Sequence, residues 1–274
     1  MNQTLKSFFL IAKSNLNSHK HIVRDFGYFL KSLGISDSII ALEDDLNLTK
    51  EQIKKIDIFF SSYINGLPLD YILEESVFYG NNFFVDPRVL IPRQETELIV
   101  DWALELELMN NSVISEVGTG SGCIAISIAL QRPKIKIIAS DISSPALEVA
   151  SKNIEFYNLK NISLIQSSLI SFVKDESIDL VISNPPYINS NDPHLKDLMH
   201  EPKIALISNN GAKIFFEIAS QAINVLKKGG KIIFEHGFKQ AGDVSEILKE
   251  CGFKNILSKK DLQGIDRYTH AEKI

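Results

Sequence analysis

From Val113 onward the chain repeats one pattern: a short apolar run, a turn, then a longer amphipathic stretch. No other feature constrains the fold as tightly. Apolar runs of roughly four to eight residues bounded by turn residues read as buried strands. Stretches with apolar residues three and four apart read as helices. The pattern predicts strands over 113–117, 135–140, 162–165, 178–183 and 230–235. It predicts helices over 121–131, 144–157, 211–227 and 240–250. These strands are mainly apolar rather than strictly alternating, so both of their faces need cover. An open, mainly parallel sheet with helices on either side supplies that cover. Residues 254–257 and 264–269 are expected to close it as an antiparallel hairpin. In such a sheet a ligand sits beyond the carboxyl ends of the strands.

The first part of the chain reads differently. Ile22, Phe26, Phe29, Leu30 and Leu33 form a helical stripe that Gly34 stops. Thr49-Lys-Glu-Gln52 matches a capping box and opens a helix through Ile56, Phe59, Phe60 and Tyr63. Residues 1–75 are therefore read as a small all-α domain. Residues 76–93 are read as a β-hairpin linker, with Ser76–Gly80 and Phe83–Val85 flanking Gly80-Asn81-Asn82. Residues 94–274 form the α/β domain, entered by a helix expected over Glu95–Met109.

The residues that bear chemistry lie at the expected strand ends. Asn184-Pro185-Pro186-Tyr187 directly follows the apolar run Ile178–Ser183. Proline has no N–H and pushes the residue before it out of the helical region. The chain is thereby stiffened where an Asn side chain and bare carbonyls are presented. An amide oxygen and a backbone carbonyl can each accept one hydrogen of a planar –NH2. Asn184 and Pro185 are candidates for that pair, and Tyr187 for a wall against the planar group. Alone, the tetrapeptide reads equally well as an ordinary turn. Upstream, however, Glu116-Val-Gly118-Thr119-Gly120-Ser-Gly122 lies between an expected strand and an expected helix. Glycines at such a turn let backbone approach a ligand closely. The spacing is not the G-x-G-x-x-G of dinucleotide folds, and no phosphate-loop Lys-Ser/Thr follows. Asp141 ends the next strand, about 20 residues past the glycines, where an acid suits the two hydroxyls of a ribose. Its plainer role is to cap the following helix.

Taken together, these segments resemble the motifs of class I S-adenosylmethionine-dependent methyltransferases that act on amide or exocyclic amino nitrogen. More narrowly, Leu90-Ile-Pro-Arg-Gln-Glu-Thr-Glu97 is similar to the LIPRPETE segment of the peptide chain release factor glutamine methyltransferases, with Gln94 at the second Pro. Further matches are Gly66–Ile72, Glu201–Leu206, Glu235-His-Gly237 and Asp266-Arg267. The resemblance implies a class I methyltransferase fold, Rossmann-like, with a mainly parallel sheet and a C-terminal antiparallel hairpin, preceded by the all-α domain. It implies S-adenosylmethionine as cofactor, bound by Glu116, Gly118, Thr119, Gly120, Gly122, Asp141 and Asn184. Glu116 would serve the amino-acid end and Asp141 the ribose. It implies methyl transfer to N5 of the glutamine in the Gly-Gly-Gln loop of class 1 release factors. Asn184, Pro185 and Tyr187 would be catalytic, and Asn184, Pro185, Pro186 and Tyr187 would bind substrate. The all-α domain would then recognise the protein substrate. Arg93 and Glu95 would order the linker near the cofactor, or simply pair with each other at a helix start.

Two other readings stay open on the residues alone. An adenine amino group presents the same planar –NH2, so an adenine-N6 methyltransferase fits the tetrapeptide, as does a glutamine methyltransferase of a ribosomal protein. A non-catalytic cofactor-binding module is the third. Composition narrows the field. A net charge of −5 argues against direct nucleic-acid binding, which needs a basic face. The two cysteines form no C-x-x-C and the six histidines no ligand spacing, so no metal is expected. The apolar patch Phe8–Ala12 is too short for a signal or a membrane span. A cytoplasmic protein with no membrane partner is expected.

Overall fold

The computed structural model of the chain describes residues 4–42, 46–208 and 211–274. Its residues fall into two units, 1–75 and 76–274, each with its own apolar core. In the first lie helices α1 (Leu5–Ser14), α2 (Ile22–Ser32), α3 (Asp37–Leu42), α4 (Lys50–Ile64) and α5 (Leu69–Leu73). The stripe of α2 is buried with Phe8 and Phe9 of α1 and Phe59 and Phe60 of α4. The Phe29 and Phe59 rings stack with centroids 4.7 Å apart, and Phe9 meets Phe26 edge-on at 5.2 Å. Such pairs add about 1 kcal/mol each beyond their buried area. Gly34 ends α2 at φ +78°, where its N–H and that of Ile35 close onto Lys31 and Leu30 carbonyls. The capping box at α4 forms as the sequence predicts. Gln52 N–H donates to Thr49 Oγ1 at 3.2 Å, and Thr49 N–H to Gln52 Oε1 at 3.0 Å. The patch Phe8–Ala12 is part of α1, with Phe8, Phe9 and Ala12 buried. No helix among the described residues is long and apolar enough to cross a membrane.

The second unit opens with a hairpin of β1 (Ser76–Phe78) and β2 (Asn81–Phe83). Its turn is Tyr79-Gly80, both at positive φ, rather than Gly80-Asn81-Asn82. A two-residue turn with both φ positive matches the twist of paired strands, and this register leaves Phe78 and Phe83 buried in the core. Then follow α6 (Glu97–Glu105), β3 (Val113–Val117), α7 (Cys123–Gln131), β4 (Lys136–Asp141), α8 (Ser144–Phe156), β5 (Ile162–Gln166) and β6 (Ile178–Ser183). The remainder is α9 (Lys203–Leu206), α10 (Gly211–Val225), β7 (Leu226–Glu235), α11 (Ala241–Glu250), β8 (Lys254–Lys260) and β9 (Asp266–Glu272). Helix α6 is shorter than predicted. Residues 93–97 form single turns, and Leu106 is extended, so that Leu106 and Leu108 reach the core from irregular backbone.

The larger sheet runs β5-β4-β3-β6-β7-β9-β8, parallel from β5 to β7, with β9 and β8 antiparallel. This is the class I methyltransferase arrangement. Both faces of β6 are covered, Leu180 and Ile182 packing in one core and Val181 in the other. That is why its sequence shows no alternation. Edge strand β8 carries Lys254, Lys259 and Lys260, charges that oppose pairing with another sheet. Chain order reverses beside β3, whose neighbours are β4 and β6. The loops leaving those strands part there and open a crevice.

Candidate active site

Strand register brings the three candidate segments together. Val117 pairs with Ser140 of β4 and with Ser183 of β6, so Gly118, Asp141 and Asn184 leave the sheet at one level. Buried serines tie the strand ends: Ser183 Oγ donates to the Val117 carbonyl at 2.8 Å, and Ser140 Oγ to the Glu116 carbonyl at 3.1 Å.

The glycine turn rises over β4. Gly118 and Thr119 N–H both donate to the Ser140 carbonyl, at 2.8 and 2.9 Å. Gly118 and Gly120 have φ +77° and +55°, and a Cβ on either would meet nothing within 4 Å. Backbone here is bare and faces open space, a cradle that side chains would fill. Gly122 differs: at φ +81° its Cβ would press on Ile126 and Ala150, so this glycine serves the packing of α7 on α8. Asn153 of α8 moors the turn. Its amide donates to the Ser121 and Phe84 carbonyls and accepts from Phe84 N–H, all at 3.0 Å or less.

Asp141 accepts from Gly120 N–H on Oδ2 and from Ser143 N–H on Oδ1, both at 2.9 Å. Each oxygen keeps a lone pair for a ligand. Burial pushes the Asp141 carboxyl above its ordinary range, and those N–H donors partly offset it. Glu116 lies beneath the turn and is 1% exposed. Its Oε2 accepts from the Thr119 hydroxyl at 2.7 Å, while Oε1 is buried without a partner. Burial pushes its carboxyl up to about 8.

A cavity of about 610 Å³ opens at these strand ends, lined among others by Gly118, Thr119, Gly120, Asp141, Asn184, Pro185 and Pro186. That size suits a drug-sized ligand. Glu116, Gly122 and Tyr187 are not part of its lining. Tyr187 turns away, its hydroxyl 3.2 Å from Glu235 Oε1 and its ring packed with the core under α10 and α11.

Several lining or supporting groups escaped the sequence reading. Asn184 Nδ2 donates to Thr96 Oγ1 at 3.2 Å across 88 residues. Arg93 pairs not with Glu95 but with Glu201, at 2.5 Å, and Glu201 also accepts from Ile91 N–H at 3.1 Å. That clasp holds the segment bearing Pro202, Ala205 and Ile207 against the cavity. Ile142 and Leu169, after β4 and β5, supply apolar wall beside Asp141. Thr96 and Arg93 lie in the Leu90–Glu97 segment already singled out, but no local signal names partners so far along the chain.

A family model, the Methyltransferase small domain, matches residues 96–252. A protein of Neisseria gonorrhoeae named release factor glutamine methyltransferase is 41% identical over 211 residues, covering 75% of this chain and 77% of that one. One of Streptococcus pneumoniae with the same name is 37% identical over 243 residues, covering 87% and 86%. Among solved structures, a methyltransferase from Pyrococcus furiosus superposes with a TM-score of 0.54 at 17% identity. It covers 82% of this chain and 99% of that one, a likeness of fold alone.

Proposed function

The chain belongs to the release factor glutamine methyltransferases, and on that premise we propose how its site works. The enzyme transfers a methyl group from S-adenosylmethionine to the side-chain amide nitrogen, N5, of the glutamine in the Gly-Gly-Gln motif of class 1 release factors. The observation that carries this reading is the meeting, in one cavity, of the bare glycine turn, the Asp141 carboxylate and the Asn184 amide.

The residues present fit the cofactor. The open positions at Gly118 and Gly120 admit a bulky group against backbone. The free lone pairs of Asp141 suit two ribose hydroxyls, and Ile142 and Leu169 offer apolar faces to a purine. Glu116 braces the turn from beneath through Thr119, and its unpartnered oxygen would be free to meet the ammonium of the cofactor's amino-acid end. When bound, S-adenosylmethionine supplies a methyl on a sulfonium, an electrophile that needs little activation.

The chain's own residues address the acceptor, whose amide nitrogen shares its lone pair with a carbonyl. With Nδ2 engaged by Thr96, Asn184 keeps Oδ1 to accept one N–H of the substrate amide. The Pro185 carbonyl accepts the other. Two acceptors aim the nitrogen and stabilise the positive charge that develops on it. No strong base is needed before attack, because the methylated nitrogen becomes acidic and sheds its proton afterwards. Pro186 stiffens the turn, and Tyr187 fixes the tetrapeptide from behind by its bond to Glu235.

The test is mass spectrometry of a recombinant class 1 release factor incubated with the protein and S-adenosylmethionine. A gain of about 14 Da, one methylene on the loop glutamine, is expected from transfer to an aimed amide. An unmodified factor together with methylated adenine in added RNA or DNA would replace this reading with the amino-base alternative.

A further inference from the structure

Gln240 is the last residue before α11, and its side chain makes no cap for that helix. It turns back instead to the tetrapeptide. Its Oε1 accepts from Gly237 N–H at 2.7 Å, and its Nε2 donates to the Tyr187 carbonyl at 3.4 Å. A backbone N–H can only donate, so the oxygen of this amide must face Gly237 and its NH2 must face Tyr187. Two bare glycines make room for the amide. A Cβ on Gly237 would come within 2.8 Å of Oε1, and a Cβ on Gly211, the first residue of α10, within 2.9 Å of Nε2. Lys239 makes the turn at φ +70°, a conformation costly to a residue with a side chain, which persists only where its surroundings hold it. Bonds between Gly237 and Gln240 hold it on both sides, since Gln240 N–H also donates to the Gly237 carbonyl at 3.1 Å.

We infer, resting on the reaction proposed above, that Gln240 is a positioning residue for the substrate amide, acting through Tyr187 on the Pro185 carbonyl. The tetrapeptide leaves the sheet after Ser183 and rejoins paired backbone at Ile188, whose N–H donates to the Leu206 carbonyl at 3.0 Å. Pro185 and Pro186 have no N–H with which to anchor the stretch between. Their φ angles are locked, so the direction of the Pro185 carbonyl turns on few torsions. Holding both ends of so short a span leaves those torsions little room to drift. Asn184 is held at one end by Thr96, and Tyr187 at the other by Glu235. Both of those bonds reach side chains, which can turn about their own torsions while the backbone moves. Gln240 grips the backbone itself, at the carbonyl two residues past the Pro185 acceptor.

The two ends of the Gln240 amide do different work, and this separates two roles. If Gln240 only closed the turn at Lys239, its oxygen on Gly237 N–H would suffice. The nitrogen matters only if the Tyr187 carbonyl must be held. An ionised carboxylate in the same place would still accept from Gly237, but it would set a second acceptor against the Tyr187 carbonyl and push the tetrapeptide away.

Gln240→Glu keeps the length and the acceptor for Gly237 but removes the donor to Tyr187. Gln240→Met keeps the length, adds no charge and removes both bonds. In steady-state methylation of a release factor each should lower kcat roughly tenfold, the cost of a slightly misplaced acceptor. Cofactor affinity by calorimetry should hold in both. Gln240→Glu within twofold of wild-type kcat would mean that Gln240 serves the turn alone, and a loss confined to Gln240→Glu would be an effect of its charge. Either result overturns the inference while leaving the reaction intact. A second measurement needs no substrate. In hydrogen–deuterium exchange, the peptide carrying the Tyr187 and Ile188 amides should exchange several-fold faster in Gln240→Met than in the wild type. Unchanged exchange there would also overturn it, whatever the enzyme methylates.

Discussion

At the scale of single residues, Asn184 and Glu116 show how place decides role. Asn184 touches the cavity and, on the mechanism proposed, the substrate rather than the cofactor's anchoring groups. Asn184→Ala should therefore cost roughly a hundredfold or more in kcat, as losing one preorganised hydrogen-bonding group does. Cofactor affinity by calorimetry should stay near wild type; equal losses in rate and affinity would remove Asn184 from its role. Glu116 is instead a buried acid without a counter-charge, raised from an ordinary 4.5 to about 8. Between those values the folded protein holds a proton that the unfolded chain has released. Stability of the cofactor-free protein then falls as pH rises through that window. Glu235, also raised, contributes in the same direction. Thermal unfolding from about pH 5 to pH 8 should show a declining Tm, and Glu116→Gln, with no such proton to lose, should decline less. Parallel curves would mean that Glu116 does not titrate there. At this scale the placement of the glycines, Asp141 and Asn184 was legible because the sequence pattern shows where the strands end. The seclusion of Glu116 and the turning away of Tyr187 were not, because burial belongs to what packs above a residue.

At the scale of elements, the cavity wall depends on a clasp between segments far apart in the chain. Arg93 precedes α6 and Glu201 precedes α9, with side chains 33% and 3% exposed. Removing one partner of a buried pair strands the other. Arg93→Ala should therefore lower stability by about 3 kcal/mol and loosen the wall carrying Pro202 and Ile207. Urea unfolding would show this, and pairing the change with Glu201→Gln should recover part of the loss. No recovery would mean that Arg93 acts by packing alone. Helix and strand identities over 113–260, the single turn of α9 apart, were legible because periodicity is a local property. Their ends were less so. The turn of the first hairpin sits at Tyr79-Gly80 because core packing of Phe78 and Phe83 chose that register. Helix α6 stops at Glu105 because Leu106 and Leu108 are drawn to the core in extended form.

At the scale of the whole molecule, the two units have separate cores, that of the first composed of residues from Leu5 to Leu73. We propose that the first unit recognises the protein substrate while the second carries the site. A fragment of residues 76–274 should then fold, bind S-adenosylmethionine with the full chain's affinity, and methylate a release factor only with a raised KM. An unchanged KM would leave the first unit without that role, and an unfolded fragment would tie the cores together. The sequence by itself determined the parallel α/β architecture, the strand-end placement of the glycine turn, Asp141 and Asn184, and the helical character of the first unit. Each follows from local periodicity and backbone chemistry, which neighbouring residues carry between them. Tertiary structure alone decided that Thr96 meets Asn184, that Arg93 meets Glu201, and that Glu235 stands behind the tetrapeptide. Those pairings join residues 48 to 108 positions apart, and only the folding of the sheet brings them within a hydrogen bond's reach.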